Sequence, residues 1–249
     1  MKLIAAAILI LLGVNSALAQ DPKTCAIPSY LLLADNVLKK VVAAVKVGRL
    51  NIAVVGSGSS LLTGADGPRS AYPARLESTL TRRLPRIAVK VVSIAKSRET
   101  ADTMAKEFEQ ILAEVKPDLV VWQTGTVDAI RGVPLDEFQG VLEEGVERLQ
   151  AGGADVILMN QQYSPRTESM IAIGPYADAM RVVAQHYGVP LFDRLSIMRH
   201  WSEVGQFDLH AASKTNVLAQ RVHDCLGRAI ASLIVESAHL EMAAPKPTQ

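Results

Sequence analysis

Apolar positions along the chain follow two rhythms. Short runs rich in Val, Ile and Leu occupy residues 50–55, 87–94, 118–123, 155–160 and 190–192. Runs of that length and composition predict strands buried on both faces of a sheet. Between them the apolar residues fall three or four apart, which is one stripe of a helix. Residues 72–84 carry Leu76, Leu80 and Leu84 in this way, and residues 135–151 carry Leu135, Phe138, Leu142, Val146 and Leu149. Pro134 stands where a first helical turn tolerates proline, and Gly152-Gly153 closes the helix. A long last helix is expected over residues 211–236, and an extra helix over residues 31–47, ahead of the first strand.

Five strands alternating with helices predict an α/β fold, a parallel doubly wound sheet with right-handed crossovers. The functional cleft of such a sheet lies beyond the carboxyl ends of its strands. The turns after Val55, Ile94, Gln123, Asn160 and Phe192 are therefore the places to search. No internal repeat or linker interrupts the pattern. Residues 49–236 read as one domain, residues 20–48 as a lead-in, and residues 237–249, with Pro245 and Pro247, as a disordered tail.

The first residues differ in kind. Lys2 is followed by an apolar stretch from Leu3 to Val14, then by Ala17-Leu18-Ala19. That is the pattern of an export signal over residues 1–19, cut after Ala19. Its apolar run is shorter than the roughly 20 residues that span a bilayer, so no stable membrane anchor is expected. The mature chain is expected in a bacterial periplasm or secreted. Export gives weight to Cys25 and Cys225, the two cysteines of the chain. In an oxidising compartment they can pair, or they can stand as two partly buried thiols. The formal net charge is +1, from 26 basic and 25 acidic side chains without a basic stripe, which gives nucleic-acid binding no support. Asp128, Asp155, Asp193 and Asp208 lie near strand ends or loops without metal-ligand spacing. Lone aspartates there are usually helix caps, so neither a metal nor a cofactor is expected.

The first strand runs into Gly56-Ser57-Gly58-Ser59-Ser60. Backbone amides at such a strand-to-helix turn can hold an anion, and a serine there can serve as a nucleophile. A phosphate loop is not indicated: no Lys follows the glycines, and Leu61 stands where a third glycine would be. The bland alternative is a small-residue turn for close helix–sheet packing. A nucleophilic serine needs a base within reach. Of the five histidines, only His210, after Asp208-Leu209, stands at an expected loop-to-helix junction. His223 falls inside the last helix.

Four blocks are laid out in order: residues 56–64 after the first strand, residues 95–100 after the second, Gly125-Thr126-Val127-Asp128 after the third, and Phe207-Asp208-Leu209-His210 before the last helix. With the stretch 116–126 and Tyr72-Pro73-Ala74-Arg75-Leu76, they resemble the SGNH (GDSL-type) hydrolases, exported proteobacterial members in particular. The resemblance covers roughly residues 25 to 232. It implies a flavodoxin-like three-layer α/β/α sandwich with a five-stranded parallel sheet. It also implies a serine esterase or O-acyl transferase acting on a small-molecule ester or acylated glycan.

Each of the four blocks has lost or moved a catalytic feature of the family pattern, while His210 stands at its expected place. If Gly56 is the first block's glycine, Gly58 occupies the nucleophile's place. If Gly58 is, Ser60 becomes the nucleophile and Ser59 replaces the aspartate; a one-residue bulge would instead present Ser59. Ser57 ranks behind both. Val127 replaces the asparagine that donates to the oxyanion, a loss on the order of 100- to 1,000-fold in rate. Ser97 or Arg98 replaces the second block's glycine, so an N–H survives but a glycine with positive φ would be missed. Asn160 and Gln123 are substitute donors. Phe207 holds the acid's place, and Asp208, one residue later, is turned by about 100° if helical. Two readings follow: a weak or specialised hydrolase using Ser59 or Ser60 with His210 and Asp208, or a catalytically inactive SGNH-fold protein that keeps the cleft for binding.

Overall fold

The computed structural model describes residues 25–32, 35–210 and 215–240. The expected export signal and the end of the expected tail lie outside those residues. Five strands form one sheet: β1 (Arg49–Gly56), β2 (Ala88–Ala95), β3 (Leu119–Gln123), β4 (Asp155–Met159) and β5 (Leu191–Phe192). All neighbours are parallel, in the order β2-β1-β3-β4-β5. Side chains alternate across the strands and supply two cores. Ile52, Val54, Leu119, Val121, Ile157 and Met159 face one layer of helices. Ala53, Val55, Val120, Trp122, Val156 and Leu158 face the other. This is the parallel sheet expected from the runs of Val, Ile and Leu, in the three-layer α/β sandwich that the resemblance implies.

The helices in chain order are α1 (Lys39–Lys46), α2 (Gly67–Ser70), α3 (Tyr72–Arg83), α4 (Ala101–Ala105), α5 (Phe108–Val115), α6 (Thr126–Arg131), α7 (Leu135–Ala151), α8 (Pro165–Met170), α9 (Gly174–His186), α10 (Arg194–Glu203) and α11 (Val217–Ser237). Helix α1 is shorter than the expected 31–47. Only its last two turns are helical, after a 3-10 turn at Ser29–Leu31. The start is set from afar: the Asp155 carboxylate accepts the amides of Lys40 and Val41 at 2.8 and 3.0 Å, and Leu38 N–H donates to Ser237. Helix α11 begins at Val217, later than expected, and part of the expected segment lies outside the described residues.

Three of the four aspartates in the sequence survey hold helix ends. Asp155 caps α1, Asp193 accepts the Ser196 amide at the head of α10, and Asp128 accepts the Ala101 amide at the head of α4. A side-chain acceptor there satisfies amides that have no partner within the helix.

Helices α3 and α11 cross at Gly227. A Cβ there would come within 2.8 Å of the Leu76 nitrogen and 2.9 Å of the Arg75 carbonyl carbon, so only glycine permits the approach. Two residues earlier, Cys225 forms a disulfide with Cys25, Cα to Cα 5.4 Å. It fastens the lead-in to α11 across 200 residues of sequence. In the chain-entropy account a loop of that size stabilises by about 5 kcal/mol. Urea unfolding with and without reductant should therefore show a large drop in midpoint for the wild-type chain. Cys25→Ser should remove that difference.

Candidate functional site

The sheet order reverses at β1: the chain steps from β1 outward to β2, then returns across β1 to β3. In open α/β sheets the crevice at such a switch, beyond the carboxyl ends of the strands, is where ligands bind. Here it is bounded by the end of β1, residues 56–60, and the end of β3, Gln123 to Gly125. Val55 pairs with Trp122, which sets Gly56 beside Gln123. A Cβ on Gly56 would collide with Ser60 Oγ and lie 3.1 Å from Gln123 Oε1, so a glycine is needed at this point.

The Gln123 side-chain oxygen gathers the turn. It accepts the Ser57 amide at 3.1 Å, and the hydroxyls of Ser57, Ser59 and Ser60 lie 3.3, 3.1 and 2.8 Å from it. A carbonyl offers two lone pairs, so these hydroxyls compete. Ser60 has a second contact, the Tyr72 hydroxyl at 2.8 Å. Ser59 has one too: Arg194 Nη1 donates to its Oγ at 3.2 Å, while Nη2 donates to the Ser59 carbonyl at 3.2 Å and to Gln162 Oε1 at 2.9 Å.

Arg194 is fully buried and forms no ion pair among the described residues. Its charge is met by oxygen dipoles and by the Tyr72 ring, 5.9 Å from the guanidinium carbon. Burial brings its pKa from 12.5 to about 10, with Tyr72 acting in the opposite sense, so it stays cationic at neutral pH. Burial likewise raises the Tyr72 phenol. His223 closes the cluster from α11: its Nδ1 accepts the Tyr72 amide at 3.0 Å. Burial, then the charge of Arg194, lower its pKa from 6.5 to about 3.

The sequence candidates are distributed as follows. Gly58 is exposed at the head of a 3-10 turn, Gly58–Ser60; Ser57 and Ser60 are buried, and Ser59 is half-buried. A side chain at Gly58 would meet Ser97 Oγ, 3.3 Å from its Cβ. Ser97, from the second block, thus borders the family's nucleophile place. Arg98 next to it has φ of 66°, the left-handed conformation that a glycine would adopt at lower cost. Arg131 donates to the Arg98 carbonyl at 2.9 Å and holds it there. Val127, half-buried on α6, has no polar atom to offer. Asn160 does not serve as the substitute oxyanion donor. Its amide donates to Asp193 at 2.7 Å and its oxygen accepts the Leu195 amide at 2.9 Å, so the side chain is turned toward the head of α10.

Asp208 accepts the backbone amide of His210 at 3.1 Å. The carboxylate therefore closes a local turn, as its one-residue displacement would lead one to expect. Phe207, in the acid's place, is buried edge-on against Trp201. None of the hydrogen bonds of Ser57, Ser59 or Ser60 involves His210, and the structure does not join a serine to that base. Tyr72, Gln162, Arg194 and His223 were not foreseen as members of the cluster. Arg194 left one signal: an arginine two residues beyond the fifth strand, heading a helix whose other buried positions, Leu195, Ile197, Met198 and Trp201, are apolar. Gln123 was foreseen as a donor and acts as an acceptor.

Gln123→Leu should leave the Ser57 amide unpaired in the core and the Ser60 hydroxyl with Tyr72 alone, costing roughly 1–3 kcal/mol in chemical denaturation. His223 gives a pH signature. Its native pKa lies below the unfolded value, so unfolding takes up a proton between about pH 6.5 and pH 3 and stability falls as pH falls through that window. In His223→Asn, which retains an acceptor for the Tyr72 amide, denaturation midpoints measured from pH 7 to pH 4 should fall less steeply than in the wild type.

The profile of the non-GDSL lipase-like family matches residues 24–240. No curated protein matches the chain. Among solved structures, TesA shares the fold with a TM-score of 0.59 and 23% identity, over 74% of this chain and 97% of its own. LAE5, an alpha/beta hydrolase enzyme from the metagenome of Lake Arreo in Spain, aligns with a TM-score of 0.59 and 21% identity, over 76% and 95%. Axe2, an acetylxylan esterase from Geobacillus stearothermophilus, aligns with a TM-score of 0.60 and 18% identity, over 74% and 94%. Matched by that family over residues 24–240, the chain belongs to the non-GDSL lipase-like family and has the fold of the SGNH-type hydrolases.

Proposed function

We propose that this member of a hydrolase family uses its cleft to bind an acylated glycan without hydrolysing it by the family's serine mechanism. The observation that carries this reading is the state of the turn after β1. Gly58 has no side chain, Ser57 and Ser60 are buried on Gln123, and among the described residues none of Ser57, Ser59 and Ser60 is hydrogen-bonded to a histidine. A Ser–His pair within hydrogen-bond reach is what activates the nucleophile in such chemistry. Arg194 supports this reading by fixing the turn, since its guanidinium holds the Ser59 hydroxyl and carbonyl and the Gln162 side chain. The likeness to an acetylxylan esterase suggests an acetylated sugar chain as the ligand class. Action outside the cytoplasm is part of the proposal; the leader pattern and the Cys25–Cys225 bond, which oxidising compartments preserve, support it.

One observation favours a second reading, a slow esterase acting through Ser59. The Ser59 hydroxyl is half-exposed and faces Arg194 at 3.2 Å, and a neighbouring cation lowers the cost of an alkoxide. A fluorophosphonate probe separates the two. Mature folded protein should give no adduct on Ser57, Ser59 or Ser60, yet isothermal titration with acetylated xylo-oligosaccharide should show saturable heat. An adduct on Ser59 that disappears in His210→Ala would overturn the binding reading in favour of the esterase.

A further inference from the structure

A second site lies away from the strand ends, between α3 and α11. The close crossing at Gly227 brings two helical faces together along one side. From α3 come Arg75, Ser78 and Arg82, at spacings of three and four. From α11 come Val217, Gln220, Arg221, Asp224 and Arg228, again one face. With Phe207 and Cys225 they line a cavity of about 580 Å³. That volume falls within the usual range for small-molecule sites, roughly 300–1,000 Å³.

Its charge sets it apart from the rest of the molecule. Four arginines face one aspartate, an excess of three positive charges, in a chain whose formal net charge is +1. Asp224 is taken by Arg228 at 3.0 Å. Among the described residues Arg75, Arg82 and Arg221 form no ion pair. Arg82 donates to the Thr79 hydroxyl at 3.2 Å, and Arg221 lies over the Phe207 ring at 5.4 Å. The Nε atoms of Arg75 and Arg228 are buried and have no hydrogen-bond partner. Guanidinium groups crowded in this way repel one another. Their planar forks match the geometry of phosphate and carboxylate oxygens, which they bind in pairs of charge-assisted hydrogen bonds. Phe207 and Val217 add an apolar wall, suited to the organic part of a ligand.

We infer that the α3–α11 cavity is a binding site for a small polyanionic ligand, its oxyanions held by Arg75, Arg82, Arg221 and Arg228. The inference does not rest on the reading of the cleft over Gly58, because the four arginines that carry it take no part in that cleft.

The chemistry common to phosphate esters and polycarboxylates is tested by calorimetric titration of the mature protein with pyrophosphate and, separately, with citrate. The titrations are run at about 0.15 M ionic strength, where exposed charges are screened beyond about 8 Å. Saturable one-site binding of either anion is expected. Arg82 and Arg221 are exposed, so Arg82→Gln and Arg221→Gln should fold, as circular dichroism would verify, and each should weaken binding about tenfold. Arg86→Gln, an exposed arginine that does not line the cavity, should bind like the wild type. Preference for pyrophosphate assigns phosphate esters; preference for citrate assigns carboxylates. Absence of saturable binding to both anions, or equal weakening by Arg86→Gln, overturns the site.

Discussion

The side-chain oxygen of Gln123 faces four donors from the turn after β1, and the buried end of the sheet is arranged around satisfying them. Two lone pairs cannot serve four donors, so the surplus must find other acceptors or become acceptors themselves. The Tyr72 hydroxyl against Ser60 and the Arg194 guanidinium against Ser59 are the outcome. A tyrosine and an arginine are thereby drawn into the interior, and His223 follows, holding the amide at the head of α3. Buried polar groups are stable only when linked in this way, and a linked network resists the rotations that a reacting hydroxyl needs. The hydrogen bonds of Ser57, Ser59 and Ser60 tie the turn into the packing of the sheet end.

The strands were legible in the sequence to within a residue at most ends, because a strand buried on both faces admits few residue types. Val54 and Val55 must be apolar whichever face they serve. The long helix 135–151 was legible because its stripe and both its ends are local features. The start of α1 was not, since it depends on the Asp155 carboxylate more than a hundred residues away. Periodicity carries no information about such a partner.

The site divides along the same line. The search area followed from topology, and Val127 in place of the family's asparagine could be read from the third block, while the register of the first block left Gly58, Ser59 and Ser60 as alternatives. The substitutes could not be read so. Arg194 and His223 reach the turn through tertiary contacts, from helices that separate motifs do not connect. Asn160 was placed correctly at a strand end, but its partner Asp193 lies on the next strand's turn, and that pairing decides what the amide can do.

The bond between Cys25 and Cys225 has a consequence for the chain as a covalent object. It makes nearly the whole domain one closed ring, since 200 residues separate the two sulfurs. A protease that cuts an exposed loop inside that ring, such as the one at Gly205, opens the ring without releasing a fragment. The two new ends stay attached to one molecule, and the core contacts around them can re-form at intramolecular concentration. A chain closed in this way can be nicked and still hold together.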